Sequence, residues 1–132
     1  MSGSKPMPDG FHTVTPYLHA KGAERLIAFM RQAFDAIETE RNAGDAGEIR
    51  HATLRIGDSM IEVSEGNEAY PPMPCGLHVY VADTDACYRK ALDAGATSLY
   101  EPQEMPYGER SAGVKDMCGN HWYIATYKHV GN

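Results

Sequence analysis

Hydrophobic residues along this chain follow two periods, and the order of those periods repeats. "HTVTPYLHA" (12–20) is rich in β-branched and aromatic residues and predicts a strand, with Pro16 marking an edge or a bulge. In "GAERLIAFMRQAFDA", Leu26, Ile27, Phe29, Met30, Ala33 and Phe34 fall on the stripe of an amphipathic helix. "IETERNAGDAGEIRHATLRIGDSMIEVSE" then alternates in short runs split by "AGDAG" and "GD", which predicts three strands, the last two a hairpin. "GNEAYPPMP", with its three prolines, breaks the pattern. Afterwards "GLHVYVAD" predicts a strand and "TDACYRKALDAG" a helix, with Asp83 or Thr84 as N-cap and Gly95 just past its end. "ATSLYEPQ", "ERSAGVKD" and "NHWYIATYK" predict three more strands, and "EPQEMPYGER" reads as a lid or a plain connection.

The chain therefore reads β-α-β-β-β twice, an α+β arrangement. The offset that takes Thr15 to Gly76 also takes Glu62 to Tyr123. We expect a flexible lead-in at 1–10 and one domain at 11–132, built from modules 11–66 and 75–128. Each module alone would leave one sheet face unburied, so two paired modules should enclose a hollow. Alternation decides what faces it. Ile61 and Val63 go to the core, while Met60, Glu62 and Ser64 face the hollow. The same rule turns His51, Thr53 and Arg55 inward, with His78 and Tyr80, with His121 and Tyr123, and with Tyr17.

Charge narrows the partners. The net charge is −6, and the twelve basic residues form no stripe able to neutralise phosphates, so nucleic acid is not expected. No apolar run approaches membrane-spanning length, and the N-terminus has no signal-like core. Cys75, Cys87 and Cys118 are odd in number and widely spaced, which suits free thiols in the cytoplasm.

Taken together, "HTVTPYL", "GAERLIAF", "HATLRIGDSMIEVSE", "LHVYVADTDA", "ALDAGA" and "YGERSAGVKDMCGNHWYIAT" resemble the vicinal oxygen chelate superfamily, the glyoxalase/bleomycin-resistance/dioxygenase group, and within it the PhnB-like branch. The resemblance implies two βαβββ modules forming a curved mixed sheet around a cavity, a homodimer, and a small organic ligand. It places the four usual metal-ligand positions at Thr15, Glu62, Gly76 and Tyr123. Of these only Glu62 is a strong donor. The cofactor thus stays unknown. A divalent metal on Glu62 stays open, with Thr15, Gly76 and Tyr123 departing from the usual set.

Glu62 reads either as a ligand or general base, assisted by His51, or as a structural carboxylate paired with Arg55 or a partner chain. Tyr17, Arg55, His78, Tyr80, Arg110 and Tyr123 are candidate substrate contacts. Arg110 suits an anion through its two-pronged guanidinium, or else an ion pair with Glu109 or Glu104. His19 and His129 read as solvated. No phosphate-binding loop, nucleophile elbow or HExxH is present. If the protein is an enzyme, the resemblance implies lyase, isomerase or dioxygenase chemistry on vicinal oxygens. The alternative is a non-catalytic binder that sequesters an aromatic or cationic drug-like compound, which eight tyrosines and the acidic balance would suit.

Overall fold

Sheet pairing divides the chain as the periodicity does. The structure, a computed structural model, describes residues 6–128. Residues 1–5 of the expected lead-in, and His129, lie outside the described residues. The first half runs β1 (Tyr17–Ala20), α1 (Ala23–Phe34), β2 (Ile37–Ala43), β3 (Ile49–Ile56) and β4 (Ser59–Glu65). The second runs β5 (Gly76–Tyr80), α2 (Thr84–Asp93), β6 (Thr97–Met105), β7 (Glu109–Lys115) and β8 (His121–Tyr127). Each half makes its own four-stranded mixed sheet, in the orders β1-β4-β3-β2 and β5-β8-β7-β6. The first strand of each half pairs parallel to the last, and the other pairings are antiparallel.

One side of each sheet is apolar and packs on the helices. Leu18, Leu54, Ile61 and Val63 meet Leu26, Phe29 and Met30 of α1 in a single core, which continues through Cys87 and Ala91 of α2 to Val114, Trp122 and Ile124. Phe34 joins the halves, its ring centroid 4.7 Å from that of Trp122. The Trp122 indole donates to Asp116 at 2.7 Å. Asp116, in the turn before β8, also accepts from the Cys118 and Asn120 amides and the Asn120 side chain, so its buried carboxylate is fully bonded.

The helix starts are capped differently. Asp83 accepts from the Ala86 amide, as a conventional N-cap does. At α1, Gly22 has a left-handed φ of 90° and no capping side chain. Glu65 reaches across from β4 and accepts from the Gly22 and Ala23 amides at 3.0 and 2.8 Å.

Two expected elements end elsewhere. β1 starts at Tyr17 rather than near His12. Pro16 brings no N–H, and its carbonyl takes the Glu62 amide at 2.9 Å, so pairing begins there. "EPQEMPYGER" is neither lid nor loop but the β6–β7 hairpin, turning at 106–108. Pro102 is tolerated because β6 is an outer strand and its register slips between Tyr100 and Gln103.

Candidate functional site

The polar side of the first sheet carries Glu62 at its centre. Register places Tyr17 and Thr53 on either side of Glu62, with Glu40 beyond Thr53. Thr53 is buried and Glu62 half-buried. His51 Nε2 lies 2.7 Å from Glu62 Oε1, which is its ion-pair partner among the described residues. The chain before β1 folds over this face. Met7, Phe11 and Thr15 form the opposite wall of a cavity of about 360 Å³ that holds His51, Thr53 and Glu62.

Tyr17 stands at one end, its ring 5.8 Å from that of His51. It stacks on His19 at 4.6 Å, and Tyr70 stacks beside His19 at 5.8 Å. His19 also bonds Ser64 at 3.2 Å, so it is a half-buried aromatic contact and not the solvated residue expected. Tyr17, His19, Ser64, Arg50 and Tyr70 line an open cavity of about 720 Å³ next to the first. Arg55 shares this sheet face but lies exposed beside Met60, toward the β3–β4 turn.

The second sheet presents His78 and Tyr80 on β5 and His121 and Tyr123 on β8. The ring of Tyr123 leans over Gly76, where an added Cβ would lie 3.4 Å from Tyr123 Cε2. Those two residues line a cavity of about 200 Å³ with Cys75 and His121. Thr15 and Glu62 line the cavity on the first sheet, so the four positions do not meet in one pocket of this chain. Within one chain the two polar sheet faces carry separate cavities. The crevice that touches both halves, about 370 Å³, runs along their apolar sides between Phe34, Ile61, Leu77, Val79 and Trp122.

Arg110 is on the helix side. Its guanidinium makes two bonds to Asp85 of α2, at 2.6 and 2.8 Å, and one to Glu104 at 3.1 Å. These bonds hold the Asp85 carboxyl below its usual range. The fork is thus occupied away from both polar faces. The residue that does turn inward is Glu109, which is buried and 3.4 Å from His78 Nε2. The alternation rule contained this result. In "ERSAGVKD", Ala112 and Val114 are core, so Arg110 shares their side while Glu109 and Ser111 take the other.

The sequence profile of the glyoxalase/bleomycin resistance protein/dioxygenase superfamily matches residues 11–124. The chain belongs to that superfamily. An uncharacterized protein of Mycobacterium tuberculosis is 32% identical over 122 residues, covering 84% of this chain and 72% of that one. Among solved structures, TioX from Micromonospora sp. ML1 superposes with a TM-score of 0.70 at 23% identity, covering 86% of this chain and 98% of that one. TnmS3, an antibiotic binding protein from Streptomyces sp. CB03234, gives 0.71 at 17% identity, covering 95% and 100%. These two likenesses show the shared fold.

The superfamily's metal-dependent chemistry needs several convergent donors. Here the four usual ligand positions hold threonine, glycine, tyrosine and a single glutamate. Among the described residues no three His, Cys, Asp or Glu side chains converge, and Glu62 is already engaged by His51. The residues present do not fit a standard ion site.

Proposed function

We propose that this superfamily member binds a small organic molecule on the polar face of its first sheet, in the cavity containing Glu62. The carrying observation is the Glu62–His51 pair, 2.7 Å apart, in an open cavity between the sheet and the segment that precedes β1. A carboxylate and an imidazole fix polar groups of the ligand, Met7 and Phe11 supply an apolar wall, and Tyr17 stands at the border with the neighbouring open cavity. Sequestration is the reading favoured over catalysis, because the donor set is poor and the Tyr17–His19–Tyr70 stack suits aromatic surfaces. That antibiotic binding is the described role of TnmS3 supports this reading. The PhnB-like branch fits the incomplete ligand set. A homodimer fits the half-buried Leu77, Val79 and Val81, which a second copy would cover. Three free cysteines fit a cytoplasmic setting.

A thermal-shift and NMR screen of aromatic natural-product-like compounds tests the assignment. Compounds that bind should lose about tenfold or more in affinity with Glu62→Gln and with His51→Ala, and little with Arg110→Lys. Equal affinity in all three variants would refute the site. A second reading, acid/base chemistry, is favoured by the same short Glu62–His51 contact. It requires turnover of a bound compound that Glu62→Gln abolishes while binding persists.

A further inference from the structure

We propose that the polar face of the second sheet is a binding site for an organic cation of the substituted-ammonium class, anchored by Glu109 and walled by tyrosine rings. This extends the binder reading to a second place on the molecule, and it can fail while the Glu62 site stands.

Glu109 is 4% exposed and faces the polar side of β7, paired in register with Met105 and Tyr127. Burying a carboxylate is costly unless a positive partner or hydrogen bonds compensate it. The ion-pair partner among the described residues is the His78 imidazole at 3.4 Å, which carries charge only when protonated. The Tyr107 hydroxyl also hydrogen-bonds the carboxylate, but neither partner brings a permanent positive charge.

The surroundings are aromatic. Tyr80 stacks on His78 with centroids 4.6 Å apart. The Tyr100 hydroxyl bonds Ser111, which sits beside Glu109 on the same side of β7. Tyr107 and Tyr127 flank the carboxylate, and Tyr80, Tyr107 and Tyr127 are all exposed. The Tyr107 phenol is pushed above its ordinary value, chiefly by desolvation and then by the charge of Glu109. The floor beneath the rings is made of small residues. Ala125 lies between Tyr80 and Ser111 in the register, and Gly113 lies under Tyr100, where a Cβ would fall 2.5 Å from the ring. Small floor residues are what allow His78 to reach across β8 to Glu109.

This combination selects its ligand. A buried carboxylate repels anions, and ring faces attract a cation that also presents alkyl surface. A bare divalent ion is poorly served, since the rings offer no strong donors beyond one carboxylate and one imidazole. The overall charge of −6 adds a weak long-range attraction.

Calorimetric titration of the 132-residue chain with choline chloride, and with its neutral isostere 3,3-dimethylbutan-1-ol, tests the assignment. Choline should bind saturably and the neutral alcohol about tenfold more weakly or not at all. Glu109→Gln should weaken choline by about tenfold or more, Tyr80→Leu should weaken it measurably, and Asp93→Asn, on α2, should leave it unchanged. No saturable choline binding, equal binding of the alcohol, or full binding by both site variants would each overturn the proposal. If circular dichroism shows that Glu109→Gln fails to fold, Tyr80→Leu decides, since that ring is 62% exposed and removable without opening the core.

Discussion

Cys87 shows how placement sets the chemistry of one side chain. Its thiol is buried against α1 and donates to the Ala33 carbonyl at 3.4 Å. Burial pushes its ionisation up from near 9 to about 11. Cys75 and Cys118 are also raised, first by desolvation and then by Asp116. Native protein should therefore react slowly with thiol reagents at pH 8, with Cys87 last and fully labelled only in denaturant. The sign for stability follows from the raised folded-state value. The contribution is complete below about pH 9 and declines as pH climbs toward 11, because the unfolded thiol ionises first. Urea midpoints measured at both ends of that window should fall for the parent and fall less for Cys87→Ala. Legibility at this scale depended on strand phase. Glu62, His51, His78 and Tyr80 each lie on the polar sheet face that alternation gives. Arg110 takes the ion-pair alternative with Glu104, and adds Asp85, because its strand phase puts it on the helix side with Ala112 and Val114. Tyr17, two residues away on the same strand, stacks on His19 from a position the alternation gives, whereas the second stacking ring, Tyr70, lies on a distant irregular segment that periodicity does not place.

The two helices begin with caps of different origin, and this predicts different mutational behaviour. Asp83→Ala removes a local cap on α2 and should cost about 1 kcal/mol in urea unfolding. Glu65→Ala removes bonds to two amides at the start of α1 and also unties β4 from that helix. It should cost more, on the order of 1–3 kcal/mol. Equal costs would mean the cross-link from β4 carries no tertiary weight. The sequence exposed the first cap, since Asp83 adjoins its helix. It concealed the second, since Glu65 is separated from Gly22 by 43 residues. Strand ends followed the same logic. The apolar cores of β3, β4 and β8 were visible in their alternation, whereas β1 and β6 were set by prolines whose neighbours decide whether pairing continues.

At the level of the whole molecule, the repeated β-α-β-β-β order was readable, but the relation between the two sheets was not. Periodicity reports which side of a strand is apolar, and both sheets use that side on a common core. Their polar sides are consequently left with separate cavities, and a second chain is the proposed cover for the half-buried Leu77, Val79 and Val81. Sedimentation over a roughly hundredfold dilution should give a mass about twice the 14.5 kDa of the chain, dissociating only at the dilute end. A monomer at all concentrations would remove the dimer from the reading. Two of the four outer strands limit how such association can proceed. β2 presents exposed Glu40 and Arg41 along its free margin, and β6 carries Pro102. Neither border can readily template further strands. Edge-to-edge growth through those two strands, the start of fibrillar stacking, is thereby discouraged.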